Sequence, residues 1–127
     1  MADDNRGNRP LSPHLSIYRP QMTSVSSIMV RITGIALLGL ALLVVWWLLA
    51  AATSQRAFAL IDGLLRSWFG VLVLIGATWA LWYHMLGRLR HVIWDFGYLV
   101  QLEASNKMGL GMFIGATVLT AITFLVV

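Results

Sequence analysis

The chain has 127 residues and not one cysteine, so it forms no disulfide, ligates no iron–sulfur cluster through thiolates and performs no thiol catalysis. Proline is almost as scarce. All three prolines fall within residues 10–20, leaving the rest of the chain free of them. Charge is sparse, at 11% of residues, whereas 59% are hydrophobic and the mean hydropathy is +0.80. An ordinary soluble domain carries roughly 45–50% apolar residues, so that class is excluded. Regular alternation of apolar and polar residues is also missing, which excludes a closed β-barrel, the other spanning solution besides helices.

What the sequence does contain is three long apolar runs. Ile32 to Ser54 carries no charge, Ser67 to Gly87 carries one histidine, His84, and no charged residue, and Met108 to Val127 carries neither. Each approaches the ~20 residues that a helix rising ~1.5 Å per residue needs to cross ~30 Å of hydrocarbon. The expectation is an all-α membrane protein, a single membrane-anchor domain over residues 1–127. Its transmembrane helices fall at about residues 28–53, 65–92 and 108–127, after an N-terminal segment over 1–22. Residues 1–8 are polar and expected to fray, and the prolines of 9–20 predict an extended stretch along the membrane face. Thr23, Ser24, Ser26 and Ser27 offer N-caps for the first helix. About thirty mostly polar residues before the first apolar run do not resemble a secretory signal, and Asp3 and Asp4 argue against a mitochondrial transit peptide. Gly111 and Gly115 form a G-x-x-x-G pair, a weak signal for close helix approach.

The net charge of +4 is a topology signal and not a nucleic-acid signature. Arg6, Arg9, Arg19, Arg31, Arg88, Arg90 and Lys107 fall at one end of the three spans, Arg56 and Arg66 at the other. By the positive-inside rule the N-terminus is cytoplasmic and the C-terminus outside. With the N-terminal segment resembling neither signal nor transit peptide, the expectation is a bacterial inner-membrane protein with a periplasmic C-terminus, or an already processed organellar one. Trp46, Trp47, Trp68 and Phe69 form an outer aromatic belt, and Trp94, Phe96 and Tyr98 an inner one.

An ionisable side chain within a membrane span marks a functional site by default. At 100° per residue, Gly76, Ala80, Tyr83, His84, Gly87, Arg88, His91 and Asp95 share roughly a 140° arc of the second helix. Small residues flank an imidazole, and cations follow toward water. A haem needs this set: a neutral imidazole for iron, small residues against the flat ring, and cations for the propionates. Arg88 and His91 lie ~6 and ~10 Å along the axis from His84, a suitable reach for propionates. The same pattern also fits an imidazole that only hydrogen-bonds a neighbouring helix. Because one histidine alone lies well inside the hydrocarbon, a bis-histidine haem requires a second chain, so the protein reads as a subunit. Ser27 and Arg31, at i and i+4, present a hydroxyl and a guanidinium on one helix face, beside Ile28 and Ile32, where they suit the carbonyl of a lipid-soluble head group. They equally suit a helix cap and a snorkelling arginine.

Three motifs add a family resemblance. Arg9-Pro-Leu-Ser-Pro-His-Leu-Ser-Ile-Tyr18, Ser27-Ile-x-x-Arg31-Ile-Thr-Gly34, and the run from His84 through Gly87, Arg90 and His91 to Asp95 resemble the cytochrome b membrane anchors of succinate dehydrogenase, the larger of two anchors in complex II. The resemblance covers nearly the whole chain. It implies that His84 is an axial ligand of haem b, with the other histidine from the smaller anchor subunit, and that Arg31 and His91, with Arg88, meet the propionates. It implies that Ser27 and Arg31 line the ubiquinone pocket with Ile28 as an apolar wall, completed by a tyrosine of the smaller anchor and a tryptophan of the iron–sulfur subunit. Succinate is oxidised on the flavoprotein subunit, with FAD and iron–sulfur clusters on partner subunits only. One departure stands out: where the family has histidine before the arginine, this chain has Val30. Two other functions fit the residues alone, a haem-free structural anchor and a small transporter component relaying protons through His84 and Asp95.

Overall fold

The computed structural model describes residues 15–127, which form four helices and, among those residues, no strand. The helices are α1 (Met22–Thr53), α2 (Gln55–Arg66), α3 (Trp68–Asp95) and α4 (Leu102–Val126). Arg6, Arg9, His14 and the first part of the earliest motif, residues 9–14, lie outside the described residues.

Three of the four, α1, α3 and α4, are long and apolar enough to cross a membrane, as the sequence predicts. They pack as a bundle in which α3 touches both others and α1 also touches α4. The helices extend past the apolar runs at the end where α1 begins, α3 ends and α4 begins, called here the basic end. At 1.5 Å per residue the 32 residues of α1 span about 48 Å, well beyond the hydrocarbon thickness. Arg88, Arg90 and Lys107 consequently lie within helices and not in the α3–α4 loop. That loop is closed by Gly97, whose φ of +78° ends α3 in the left-handed conformation that favours glycine, and by the Trp94 indole, which donates to the Leu99 carbonyl at 3.2 Å.

Two expectations are corrected. The predicted N-caps of α1 lie inside the helix. Gln21 occupies the cap position without a side-chain cap bond, and the Ser26 hydroxyl donates instead to the Thr23 carbonyl at 3.1 Å. The connection between the first two spans is itself a helix, α2, capped by Ser54, whose hydroxyl accepts from the Ala57 amide at 3.3 Å. It is too short to span, and turns Ile61 inward while Phe58 meets Trp47 with ring centroids 6.0 Å apart.

The core is small. Val30, Tyr83, Met112 and Ala116 are buried, with Met29, Trp79, Trp82, Leu86 and Phe113 packed around them. Tyr83 stacks on Trp79 at 5.0 Å and tilts against Phe113 at 4.8 Å. The Trp79 and Trp82 indoles donate to the hydroxyls of Thr117 and Thr123 at 3.1 and 3.0 Å, tying α3 to α4. Most other large apolar side chains, Ile35, Leu42 and Leu72 among them, point outward, as lipid or partner helices require. Of the G-x-x-x-G pair, Gly115 lies against Leu86 whereas Gly111 faces open space. Among the described residues the ion pairs are Arg66–Asp62 and Lys107–Glu103, both 2.7 Å and both one helical turn apart.

Candidate functional site

Between α1 and α3, toward the basic end, lies an open cleft of about 520 Å3. Ser27, Val30, Arg31, Gly34, Ile35 and Leu38 line it from α1, and His84, Arg88 and His91 from α3. Five residues singled out by their chemistry thus converge on one cavity. Ile28, 54% exposed, sits on the neighbouring strip of α1 and does not line the cleft within this chain. Asp95 is exposed at the last residue of α3, about 16 Å along the axis from His84, too far for direct proton exchange with the imidazole.

The His84 ring is held from α1. Its Nδ1 lies 3.0 Å from the Val30 carbonyl and 3.5 Å from the Thr33 hydroxyl. A carbonyl only accepts, so Nδ1 carries the proton and donates, leaving Nε2 with its lone pair. Thr33 directs its own hydroxyl to the Met29 and Val30 carbonyls at 2.8 and 3.0 Å, which keeps it an acceptor toward the ring. Gly34 supplies the room: a Cβ there would stand 3.0 Å from His84 Cε1. A ligand imidazole is typically oriented this way, with its second nitrogen donating to a carbonyl that fixes tautomer and direction.

His91 is arranged similarly, its Nδ1 2.7 Å from the Gly87 carbonyl one turn back. Arg31 and Arg88 are exposed at the cleft mouth. Among the described residues no carboxylate lines the cavity, so its polar rim carries cations and hydrogen-bond donors over an apolar floor. Nor do the described residues hold a cluster of three or more metal-ligating side chains. The cleft can offer one imidazole to a metal held mainly by something else.

The 140° arc of α3 divides in two. His84, Arg88 and His91 open into the cleft, while Tyr83, Gly87 and the neighbouring Arg90 turn into the bundle and are buried. Gly87 permits the close approach of α1, since a Cβ there would meet Val30 Cγ2 at 2.5 Å. Val30 therefore supplies two contacts, a carbonyl to His84 and a methyl to Gly87. Its side chain packs in the core, so the polar side chain missing at this position is not what holds the imidazole.

Sequence reasoning assigned no site role to Thr33, Gly34, Ile35, Leu38 or Arg90, although Thr33, Gly34 and Arg90 fall within its motifs. A signal for some was present: Ser27, Arg31, Gly34 and Leu38 recur at i, i+4, i+7 and i+11, one stripe of α1. Arg90 is legible as buried only through contacts with distant residues.

Comparison with known proteins agrees with this geometry. Residues 5–124 match the succinate dehydrogenase/fumarate reductase transmembrane subunit family. The succinate dehydrogenase cytochrome b556 subunit of Paracoccus denitrificans is 50% identical over 126 residues, covering 99% of this chain and 97% of that protein. The corresponding subunit of Rickettsia conorii is 33% identical over 114 residues, covering 90% and 89%. The cytochrome b560 subunit of Marchantia polymorpha is 34% identical over 125 residues, covering 93% and 90%. A three-span bundle, a cation-rimmed cleft with an oriented imidazole and a match over almost the full length lead to one conclusion: the chain belongs to the succinate dehydrogenase/fumarate reductase transmembrane subunit family.

Proposed function

We propose that this chain anchors a succinate:quinone oxidoreductase in the bacterial inner membrane, contributes one axial ligand to haem b and forms part of the ubiquinone-reduction site. Its partners are the flavoprotein and iron–sulfur subunits, which carry FAD and the iron–sulfur clusters, and a smaller membrane-anchor subunit that supplies the second imidazole. The N-terminus is assigned to the cytoplasm and the C-terminus to the periplasm from the charge asymmetry between the two ends. The chain itself performs no succinate chemistry.

The observation that carries this reading is His84: Nδ1 engaged by the Val30 carbonyl, Nε2 uncommitted, in a cleft rimmed by Arg31, Arg88 and His91. These residues fit a haem. The haem supplies one-electron redox chemistry when bound. His84 would hold the iron through Nε2, and Arg31 and Arg88 would meet the propionates by charge-assisted hydrogen bonds. His91, its Nδ1 held 2.7 Å from the Gly87 carbonyl, is assigned to the propionates with them.

Ser27 and Arg31 serve the quinone. The capping alternative for Ser27 loses its basis, because Ser27 lies in the second turn of α1 and lines the cleft. A hydroxyl and a guanidinium against a quinone carbonyl stabilise it increasingly as it gains negative charge, and each charge-assisted bond is worth roughly 1.5–3 kcal/mol. Ile28, exposed beside them, is assigned as an apolar wall shared with a partner subunit, and Asp95 as a proton entry from the aqueous face.

The test is made on the assembled complex in mild detergent. His84→Ala should abolish or shift the low-spin b-type spectrum, whereas Ser27→Ala and Arg31→Ala should each cut succinate–quinone activity while succinate-driven dye reduction at the flavoprotein survives. Arg31→Lys should rescue poorly, since an ammonium cannot reproduce the planar fork. An unchanged reduced spectrum in His84→Ala removes the haem assignment. Full quinone activity in both Ser27→Ala and Arg31→Ala moves the quinone elsewhere.

A further inference from the structure

Arg90 is the anomaly of the bundle. It is 3% exposed inside a membrane-spanning helix, and none of the ion pairs among the described residues involves it. Its guanidinium is satisfied by neutral groups from three helices. One terminal nitrogen donates to the Ser26 hydroxyl of α1 at 2.6 Å and the other to the Ser105 hydroxyl of α4 at 3.0 Å, while its face lies over the Trp94 ring at 4.1 Å. Nε has no partner among the described residues. A buried cation with no counterion among those residues is costly, so its placement calls for a purpose beyond filling space.

That purpose is visible at Ser26. The residue is wholly buried and is gripped twice from α3: its hydroxyl by Arg90, and its carbonyl by the Tyr83 hydroxyl at 3.2 Å. From behind, Gly109 of α4 closes against it, so closely that a Cβ there would stand 3.2 Å from the Ser26 hydroxyl. These contacts fix the rotation of α1 about its own axis at one residue. The next residue is Ser27, and one turn further is Arg31. The N-cap of α1 makes no side-chain bond, and the exposed Tyr18–Ser24 hydroxyl pair at 2.9 Å ties the first turn locally, so the buried grip on Ser26 joins the His84–Val30 contact in setting the register of α1.

We infer that Arg90, acting through Ser26 with Tyr83, is a positioning residue that sets the azimuth of α1 and so aims Ser27 and Arg31 into the cleft. This rests on the reading of Ser27 and Arg31 as quinone ligands. The two arms of the guanidinium make the inference testable, because the same chemical deletion can be made on each. Ser26→Ala removes the hydroxyl bonded to Arg90 beside the cleft, and Ser105→Ala removes the one on α4. Ser105→Ala strips its guanidinium nitrogen of that hydroxyl, whereas after Ser26→Ala the other nitrogen keeps its 3.8 Å contact with the Met112 sulfur, so a purely structural role predicts an effect of Ser26→Ala no larger than that of Ser105→Ala.

The experiment measures KM and kcat for a short-chain ubiquinone analogue in the assembled, detergent-solubilised complex, with succinate-driven dye reduction as the check on integrity. Ser26→Ala should raise KM for the quinone by about three- to tenfold, the equivalent of one ordinary hydrogen bond. Its kcat and dye reduction should stay within about twofold. Ser105→Ala should leave KM within about twofold. Tyr83→Phe keeps the ring stack and deletes only the bond to the Ser26 carbonyl, so it should shift KM in the same direction, and it replaces Ser26→Ala if that variant does not assemble. Ser27→Ala and Arg31→Ala are measured alongside. If Ser27→Ala raises KM but neither Ser26→Ala nor Tyr83→Phe does, the positioning inference is overturned and the quinone reading stands. Equal shifts for Ser26→Ala and Ser105→Ala also overturn it. If Ser27→Ala has no effect and Arg31→Ala has none either, the quinone reading fails and takes the inference with it.

Discussion

The two sides of α3 carry nearly the same residue types and behave oppositely. On the bundle side, Tyr83 and Arg90 are buried and committed to Ser26, Ser105 and Trp94. On the cleft side, His84 and Arg88 face open space, and one ring nitrogen of the histidine is uncommitted. Each side pairs a ring with a guanidinium, Tyr83 with Arg90 and His84 with Arg88. Bonding capacity already spent within the chain makes a residue structural, and capacity held in position but unspent makes it available to a ligand. The chemistry of the side chain alone does not decide between these.

The contrast predicts a ranking of substitutions. Arg90→Ala removes a buried side chain together with its contacts to three helices, and should destabilise the complex by about 2–5 kcal/mol, read as thermal unfolding in detergent. Arg88→Ala should lower the midpoint far less, because Arg88 is exposed and its assigned contact is to a propionate. A comparable loss for Arg88→Ala would erase the distinction between the two sides.

A second, smaller pair lies one step further along each side. Gly87→Ala drives a methyl into Val30 and should cost about 1–3 kcal/mol, largely recovered in the Gly87→Ala, Val30→Ala double variant because the two positions are in contact. Gly34→Ala requires the His84 ring to move by only a few tenths of an ångström, so its signature should be a perturbed b-type spectrum with little loss of stability. Should Gly34→Ala unfold the complex as readily as Gly87→Ala, the cleft would be part of the core.

The smallest effect is expected at the seam between α3 and α4. Trp82→Phe deletes the bond to Thr123, and single interhelical hydrogen bonds in membrane bundles average about 0.6 kcal/mol. A loss several times larger, in the same unfolding assay, would place more of the bundle's strength in that seam than its geometry indicates.

The legible parts of this protein are those written in local pattern. The three spans follow from uninterrupted apolar runs, and His84, Ser27 and Arg31 stand out because polar groups are rare there. The helix α2 escaped because its apolar positions Phe58, Ile61 and Leu65 recur over only twelve residues, interrupted by Arg56, Asp62 and Arg66. The caps assigned to Thr23, Ser24, Ser26 and Ser27 were misjudged because a helix can run on past several good capping residues when tertiary contacts hold its first turns, as Arg90 holds Ser26. Arg90 itself, counted simply as a membrane-flanking cation, is 64 positions from the serine it grips. No local pattern reports such a pairing.

The bond between His84 and Val30 has a consequence for how this site tolerates mutation. Its acceptor is main chain, which every one of the twenty residues supplies, so genetic drift at position 30 cannot delete the group that orients the imidazole. What selection must police there is bulk, because the side chain lies against Gly87 and Met112. A histidine and a valine at this position would therefore hold the imidazole through the same carbonyl, provided the side chain fits the space above Gly87.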